Sequence, residues 1–255
     1  MKLKKFMKGL ARSGNLEFAM DFAERGGSSA VRSITWRGMD FFYRSNTSDV
    51  HVAYECFLHG KRNAYASGNL PPASEVTTVV DVGANVGASI LFWRDRYPAA
   101  KIYGFEPEPG NFELLKRNAE RLRDVLVFNE ALGDATGQMK FVHSPGAGNE
   151  GGWSIYQRGA QGGEREVVLP IVRGEEKMKS LGIDRIDVLK VDTEGAERVV
   201  LTGLGPKLLA HTRYICGELH GERDFELLDH LERSGFRIAA RKNLRSVLFN
   251  FEASR

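Results

Sequence analysis

The sequence predicts an α/β protein built on a doubly wound, mostly parallel β-sheet. From Val76 onward, short apolar runs typical of buried strands alternate with helical runs. The first of these strands, TTVVDVG, leads through a glycine turn directly into a helical run that ends near residue 97. The last two apolar runs, FRIAARKN and RSVLFNFEA, are separated by a short turn and predict an antiparallel hairpin at the sheet edge.

Length and composition indicate one domain of ordinary size with a small extension, because the chain has 255 residues. The net charge of +3, from 36 basic and 33 acidic residues, is too balanced to indicate a nucleic-acid partner. Cys56 and Cys216 lie far apart and form no metal-binding motif, so we expect buried free thiols in a reducing, cytoplasmic compartment. No apolar run approaches the ~20 residues of a membrane-spanning helix, and the basic start lacks the apolar core of a signal peptide.

Residues 1–72 are predicted to form an N-terminal extension that contains helices and a short β-hairpin. In the first helical run, Leu3, Phe6, Met7 and Leu10 fall on one face among several lysines. This pattern fits either a surface helix packed on the domain or a helix that associates weakly with a membrane surface.

The rest of the extension is predicted as a second helix at 16–27 and two strands, AVRSITWRG and MDFFYRS, joined by a turn at Arg37–Gly38. The segment SDVHVAYECFLHG is ambiguous, but its apolar spacing fits a helix that Ser48 could cap. Pro71–Pro72 then separates this extension from the main domain, which we place at 73–255.

The main domain is predicted to contain five successive strands of the sheet: TTVVDVG, KIYGFEP, VLVFNEAL, IDVLKVD and YICGELH. Residues 143–166 contain seven glycines and predict a long mobile loop between QMKFV and VVLPIV. Within it, Trp153, Ser154 and Tyr156 are candidates for substrate binding, although the aromatic pair could equally pack into the core.

The glycine turn VVDVGANVG departs from a dinucleotide-binding loop. Asn85 and Ala88 stand where the second and third glycines of G-x-G-x-x-G would be, and a side chain at 85 would crowd a pyrophosphate. Asp81 adds negative charge near this turn, which suits a ligand that carries an ammonium and a sulfonium, such as S-adenosylmethionine. The alternative is a tight strand–helix turn in which Asp81 only accepts hydrogen bonds from backbone amides.

The next two strand ends carry chemistry that fits the same ligand. Glu106 ends the second strand, 23 residues after Gly83, where an acid can accept both ribose hydroxyls of an adenosine. Pro107 and Pro109 then turn the chain into a helix. At the end of the third strand, Ala131 and Leu132 follow Glu130 and could form an adenine slot. The alternative for Glu106 is an ordinary surface carboxylate.

Four segments, VVDVGANVG, YGFEPEPGNFELLKRN, NEALGDATG and LKVDTEGAE, resemble the FkbM family of S-adenosylmethionine-dependent methyltransferases. The resemblance covers roughly residues 48–240. It implies a seven-stranded class I methyltransferase fold and an O-methyltransferase that acts on a hydroxyl of a sugar or secondary metabolite and releases S-adenosylhomocysteine. Thr193 departs from the family pattern, where a branched aliphatic residue is expected.

The resemblance also implies roles for individual residues. By position, the methionine end of the cofactor would contact Asp81, Gly83, Asn85 and Gly87, the ribose would contact Glu106, and the adenine would contact Ala131 and Leu132. Pro107 and Asp192 would also belong to the cofactor-binding set. Asp192 and Glu194 would lie beside the transferred methyl group.

Candidate catalytic residues follow from the ends of the fourth and fifth strands. Asp192 and Glu194 follow the fourth strand, whereas Glu218 and His220 close the fifth. His220 is the stronger candidate for the general base, because its unperturbed pKa is ~6.5. Asp192 could instead cap the following helix. The same four side chains could converge on Mg²⁺, but no ligand spacing in the sequence demands a metal.

Two other functional classes share some of these features. A nicotinamide-dependent oxidoreductase would share the strand-end acid, but the missing second glycine argues against it. A non-catalytic scaffold that only binds the cofactor would not need the acid and base groups of the last two strands. The sequence therefore favours an enzyme whose partner is a small-molecule or glycan hydroxyl and not a nucleic acid.

Overall fold

The structure is a computed structural model that describes residues 2–24, 29–60, 65, 69–143, 153–154, 165–219, 225–242 and 249–255. In chain order, its helices are α1 (Lys2–Ser13), α2 (Leu16–Ala23), α3 (Asp49–Ala53), α4 (Ala88–Arg96), α5 (Pro109–Ala119), α6 (Gly174–Ser180), α7 (Glu197–Gly203), α8 (Gly205–Ala210) and α9 (Phe225–Arg233). A π-helical turn, Tyr54–Leu58, continues α3.

The strands, in the same order, are β1 (Val31–Trp36), β2 (Met39–Arg44), β3 (Thr78–Val82), β4 (Lys101–Phe105), β5 (Val125–Phe128), β6 (Ala131–Gly133), β7 (Gly137–His143), β8 (Trp153–Ser154), β9 (Arg165–Arg173), β10 (Ile186–Val191), β11 (Thr212–Leu219), β12 (Arg237–Lys242) and β13 (Phe249–Ser254). They form three sheets, of two, seven and four strands.

The seven-stranded sheet has the order β12-β13-β11-β10-β3-β4-β5. Neighbouring strands from β11 to β5 are parallel, and only β13 runs antiparallel to both of its neighbours. This order confirms the predicted mostly parallel sheet with a C-terminal hairpin at its edge. The chain enters at β3, runs outward to β5 and returns to β10 on the other side of β3. Ligands bind in sheets of this kind beyond the carboxyl ends of the strands at such a reversal point.

Helices cover both faces of this sheet. Adjacent residues along a strand belong to opposite apolar clusters, as Val79 and Val80 do in β3 and Val188 and Leu189 do in β10. The first cluster packs against α4, α5 and the N-terminal segment, and the second packs against α6, α7, α8 and α9. Burial on both faces explains why these central strands are almost continuously apolar in sequence.

The N-terminal segment shares the core of the main domain. β1 and β2 pair antiparallel through the predicted turn, where Arg37 and Gly38 have φ angles of 50° and 79°. Phe41 of β2 and Phe18 of α2 lie in the same apolar cluster as Trp93 of α4. The N-terminal extension and the main domain, which the sequence separates at Pro71–Pro72, therefore share one apolar cluster.

The helix predicted at 48–60 is present as α3 and the π-helical turn, but its predicted cap is wrong. Ser48 occupies the cap position with a helical φ of −68° and makes no capping hydrogen bond. Asp49 binds the preceding strand instead, because its carboxylate accepts from the backbone N–H and the guanidinium of Arg44 at 2.9–3.0 Å. The helix start is thus fixed by an ion pair with β2.

The third strand of the main sheet is shorter than predicted. β5 ends at Phe128, and residues 131–133 form β6 in the four-stranded sheet, where they pair in parallel with β9. Asn129 holds the break, because its side-chain amide donates to the carbonyl oxygens of Glu106 and Pro107 at 2.9 Å. Ala131 and Leu132 therefore belong to a second sheet and not to the end of the third strand.

Residues 143–166, predicted as one long loop, contain strand residues at both ends and in the middle. β7 continues to His143, β9 begins at Arg165, and Trp153–Ser154 form the short strand β8, which pairs with the end of β7. These pairings were not predicted, because the seven glycines of the segment favoured a loop and its short apolar runs gave no clear strand pattern. Residues 144–152 and 155–164 lie outside the described chain, so the predicted mobility stays a prediction.

Candidate functional site

A cavity lies beyond the carboxyl ends of β3, β4, β10 and β11, at the reversal point of the sheet. Its floor contains the glycine turn after β3 and the residues that follow β4 and β10. One wall comes from the second sheet, through Phe141 and Ile171. Another wall comes from the N-terminal segment, through Glu55 and Cys56. The cavity is therefore lined by the seven-stranded sheet, the four-stranded sheet and the N-terminal segment.

The glycine turn after β3 lies directly against the start of the segment that follows β10. Gly83 has a φ of 81°, and a Cβ atom added to it would lie 1.9 Å from the carbonyl oxygen of Asp192. Only glycine permits this approach. The N–H groups of Gly83 and Ala84 donate to the carbonyl oxygen of Phe105, which joins the turn to the end of β4.

Asn85 continues this turn into the cavity. Its backbone has a φ of 50°, a conformation that Asn tolerates better than most residues. Its Oδ1 atom is buried on the cavity wall and has no hydrogen-bond partner among the described residues. A buried acceptor without a donor is costly, and a ligand donor in the cavity would satisfy it.

Glu106 is the buried acid of the site. Its carboxylate accepts from the backbone N–H groups of Asn85 (2.9 Å) and Glu108 (3.0 Å), and it lines the cavity together with Pro107. Burial raises the pKa of Glu106 to about 7, although the N–H donors of Glu108 and Asn85 partly offset this effect. The position matches the prediction of a strand-end acid. Glu106 is not a surface carboxylate, since its residue is only 7% exposed.

Asp81 and Gly87 do not line the cavity, contrary to the placement expected from the sequence. The carboxylate of Asp81 is fully buried behind the turn, where it accepts from Trp93 Nε1 (3.1 Å) and pairs with Lys190 Nζ (3.1 Å). The negative charge of Asp81 is therefore neutralised inside the protein by Lys190. Gly87 has a φ of 91° at the start of α4, and an added Cβ would lie 3.0 Å from Leu115 of α5. Both residues support the turn from behind.

Lys190 is a site residue that the sequence analysis missed. Its ammonium donates to the carbonyl oxygen of Gly83, pairs with Asp81 and lies 3.9 Å from Asp192 Oδ2. Burial by itself lowers the pKa of Lys190, but the carboxylates of Asp81 and Asp192 outweigh this and raise it above its ordinary value. The sequence signal was a lysine near the carboxyl end of a mostly apolar strand.

Asp192 is held in the cavity and does not cap α7. Its Oδ2 atom accepts from the hydroxyl of Tyr65 at 3.0 Å, and its backbone N–H donates to Val82. The turn that precedes α7 is organised by Glu197, whose Oε1 accepts from the N–H groups of Thr193 (2.8 Å) and Gly195 (3.2 Å). The capping alternative for Asp192 is therefore wrong, and its carboxylate is available to a ligand.

The second sheet gives the cavity an apolar section. Ala131 and Leu132 of β6 line the cavity beside Phe141 of β7 and Ile171 of β9, and all four are buried. These surfaces suit the flat ring of an adenine. Glu130, which precedes them, pairs with Lys177 at 2.7 Å.

The remaining predicted residues fall in different places. Glu194 and Glu218 line the cavity with Asp192. Trp153 and Ser154 are described only as backbone in β8, whereas Tyr156 and His220 lie outside the described residues. Within the part of the chain that the structure describes, no three His, Cys, Asp or Glu side chains are placed to hold a metal ion.

The N-terminal wall was not expected from the sequence. It includes Ser48, Glu55, Cys56 and Tyr65. The Oγ atom of Ser48 is buried and has no partner among the described residues. Withdrawal from bulk water raises the pKa of Glu55, the negative charge of Asp192 adds to this, and His59 and Lys8 partly oppose it. No short-range sequence pattern connects these residues to the strand ends.

Sheet order, cavity position and the strand-end acid together define a methyltransferase domain of class I. The two orphaned polar atoms, Asn85 Oδ1 and Ser48 Oγ, fit the polar methionine moiety of S-adenosylmethionine, and the apolar section fits its adenine. Residues 81–238, more than half of the chain, match the family described as Methyltransferase FkbM domain. The chain belongs to this family of methyltransferases, which makes S-adenosylmethionine its cofactor.

Three curated relatives and one solved structure show how far the similarity extends. AmbE, an antimetabolite synthetase of Pseudomonas aeruginosa, is 31% identical over 216 residues, which are 68% of this chain and 10% of AmbE. Hexuronic acid methyltransferase AglP of Haloferax volcanii is 28% identical over 61% of each chain. The 31-O-demethyl-FK506 methyltransferase FkbM of Streptomyces tacrolimicus is 27% identical over 65% of this chain and 74% of its own.

The solved structure of methyltransferase FkbM from Methylobacillus flagellatus matches with a TM-score of 0.53 and 16% identity, over 75% of this chain and 46% of that one. At that identity the match shows the fold. The chain thus spans a tenth of AmbE and under two thirds of AglP.

Proposed function

We propose that the protein transfers a methyl group from S-adenosylmethionine to a hydroxyl of a sugar or a secondary metabolite. The observation that carries this proposal is the buried pair of Glu106 and Asn85 at the reversal point of the sheet. The names of two relatives support the acceptor class, since one is a hexuronic acid methyltransferase and the other is a 31-O-demethyl-FK506 methyltransferase. The balanced charge of the chain supports an acceptor that is not a nucleic acid.

In this proposal, the chain holds the cofactor through three groups. Glu106 accepts hydrogen bonds from the ribose hydroxyls, Asn85 contacts the methionine moiety, and Ala131 with Leu132 packs on the adenine. S-adenosylmethionine supplies an electrophilic methyl group on its sulfonium. Because Glu106 keeps its two backbone donors, its carboxylate is already oriented before any ligand enters.

The acceptor hydroxyl must lose its proton as the new bond to carbon forms. Asp192 is positioned to receive a hydrogen bond from that hydroxyl, because Tyr65 and Lys190 fix its carboxylate at the cavity. His220 follows directly after β11 in the sequence and remains our candidate for the base that removes the proton. Glu194 and Glu218 line the same cavity and complete the proposed catalytic set.

Methyl transfer from labelled S-adenosylmethionine to a panel of free sugars, glycosides and polyketide alcohols tests the proposal. Mass spectrometry locates the methyl group, and S-adenosylhomocysteine release gives the rate. For the unmodified chain we expect an oxygen-methylated product. For Asp192→Asn we expect turnover to fall by about 10²-fold, with the affinity for S-adenosylhomocysteine nearly unchanged. Asp184→Asn is the matched control. Asp184 is exposed and precedes the amino end of β10, whereas the cavity lies beyond the carboxyl ends of the strands. Full turnover in Asp192→Asn, or methylation of nitrogen only, would refute the assignment.

The free, buried thiols of Cys56 and Cys216 support a reducing compartment, and we propose that the protein works in the cytoplasm. Both thiols have pKa values raised by burial, so they stay protonated and unreactive. A cytoplasmic fraction that lacks the protein would contradict this placement.

A further inference from the structure

α1 and α2 form an antiparallel helical hairpin. Gly14 and Asn15 join the two helices, and Asn15 Oδ1 caps α2 by accepting from the N–H of Phe18 at 2.9 Å. The helices approach closely at Gly9, where an added Cβ would lie 3.1 Å from the Cα of Ala19. An ion pair between Lys2 and Glu24 connects the two helices at the open end of the hairpin, away from Gly14 and Asn15.

One side of this hairpin is attached to the domain. Phe18 and Phe22 of α2 are buried in the first apolar cluster. On α1, the ammonium of Lys8 lies 4.6 Å from the ring centre of Tyr54, in the π-helical turn beside the cavity. The hairpin therefore rests on the segment that forms the N-terminal wall of the site.

The other side of the hairpin exposes large apolar side chains. Leu3 and Met7 of α1 are 73% and 57% exposed, and Leu16 and Met20 of α2 are 58% and 56% exposed. Among the described residues, only Val31, Leu126 and Val168 are further large apolar side chains with comparable exposure, and these lie apart on three strands. The concentration of four such residues on one short hairpin requires a physical reason.

The two exposed pairs face the same side. Counted at 100° per residue from the contact between Gly9 and Ala19, the exposed pair lies about 120–160° around α1 and about 60–100° around α2, in the same sense. The two helices run in opposite directions. An offset in the same sense around each helix, viewed from its own N-terminus, therefore points both exposed pairs to the same side of the hairpin. That side is opposite to the one on which Phe18 enters the core. We call the surface formed by Leu3, Met7, Leu16 and Met20 the apolar hairpin face.

The helix that carries half of this face is strongly basic. α1 contains four lysines and one arginine and no acidic residue: Lys2, Lys4, Lys5, Lys8 and Arg12. A short helix with an apolar face and many lysines is typical of helices that lie in the headgroup region of a bilayer. No helix in the described ranges is long and apolar enough to cross a membrane.

We propose that the apolar hairpin face docks the protein on a bilayer surface that contains anionic lipids. The apolar side chains would enter the boundary between headgroups and acyl chains. Lys4, which flanks Leu3 and Met7 on α1, would contact lipid phosphates, and the positive charge of the other basic residues of α1 would add attraction to the anionic surface. A second copy of the chain is a poorer occupant, because a symmetric contact through this face would bring together two hairpins of the same sign. Each carries a net charge of +2, from the five basic residues of α1 against Glu17, Asp21 and Glu24. Docking in this way would hold the cavity beside the bilayer.

Co-sedimentation of the full chain with vesicles tests the proposal. We expect binding to vesicles of phosphatidylcholine mixed with phosphatidylglycerol and much weaker binding to phosphatidylcholine alone. The double variant Leu3→Ser/Met7→Ser should lower partitioning by about tenfold or more, because it removes two inserted side chains. Lys4→Glu/Lys5→Glu should lower it by a similar factor, since each basic residue near the surface contributes.

Val168→Ser is the matched control, because Val168 is 57% exposed on β9 of the second sheet and should leave partitioning unchanged. All substituted side chains are exposed, so unchanged circular dichroism is expected for every variant. Three results would overturn the proposal: no binding of the unmodified chain to the anionic vesicles at low salt, binding that survives Leu3→Ser/Met7→Ser, or a dimer in light scattering that this variant converts to a monomer.

Discussion

Substituting Gly83 by alanine should damage the site and the stability of the whole domain. The added Cβ would lie 1.9 Å from the carbonyl oxygen of Asp192 and 2.9 Å from its carbonyl carbon. Ordinary contact requires the two turns to separate by about 1 Å or more. Both turns belong to neighbouring central strands, so neither can move alone.

The magnitude follows from what this separation breaks. The N–H of Asp192 donates to Val82 at 3.1 Å, a neutral bond that contributes about 1 kcal/mol. Lys190 donates to the carbonyl oxygen of Gly83, a charged bond worth about 1.5–3 kcal/mol. Alanine at a φ of 81° adds about 1–2 kcal/mol of backbone strain. The expected loss is about 3.5–6 kcal/mol, a large part of the roughly 5–15 kcal/mol that stabilises a typical domain.

Urea denaturation followed by circular dichroism measures this loss. Gly137→Ala in β7 is the matched control, because an added Cβ there meets no atom within 4 Å and the backbone φ is not positive. We expect the control to stay within about 1 kcal/mol of the unmodified chain. A loss below about 1 kcal/mol for Gly83→Ala would refute the close approach of the two turns.

Three further predictions concern single side chains. Affinity for S-adenosylhomocysteine should fall as the pH drops through about 7, because protonation of Glu106 removes a charged acceptor. In calorimetry, Glu106→Gln should bind S-adenosylhomocysteine about 10–100-fold more weakly, and this affinity should no longer depend on pH in that range. Lys190→Met should cost about 3–5 kcal/mol in urea denaturation, because it leaves Asp81 buried and unpaired, whereas the exposed control Lys179→Met should cost almost nothing. His220→Ala should reduce turnover by ~10²–10⁴-fold without changing cofactor affinity, and full turnover would exclude it as the base.

The sequence predicted the parts of the fold that depend on local pattern. The alternation of strands and helices, the glycine turn after β3, and the acid at the end of β4 are all local features. Because the carboxyl ends of parallel strands meet at one edge, these features could be assembled into a site without coordinates.

The missed features depend on contacts between distant residues. β6 leaves the third strand because it pairs with β9, about forty residues later in the chain. Lys190 is one of two charged residues in a mostly apolar strand, and only the register of β10 on β3 shows that it lies beside Asp81. For the same reason, the sequence assigned the charge of Asp81 to a ligand.

The N-terminal wall shows the same limit of local pattern. Ser48 and Tyr65 reach the cavity through the packing of the extension on α4, and no spacing relates them to the strand ends. The extension was therefore predicted as an appendage, although it lines the site.

Calorimetric titration of the unmodified chain with S-adenosylhomocysteine, compared with NAD under the same conditions, tests the central claim most directly. The cavity should bind one S-adenosylhomocysteine per chain in a saturable titration, because Glu106, Asn85 and the apolar section are already in place. NAD should give no measurable heat, since the side chain of Asn85 occupies the space that a pyrophosphate needs. Saturable binding of NAD, with no binding of S-adenosylhomocysteine, would contradict the assignment of this cavity as the cofactor site.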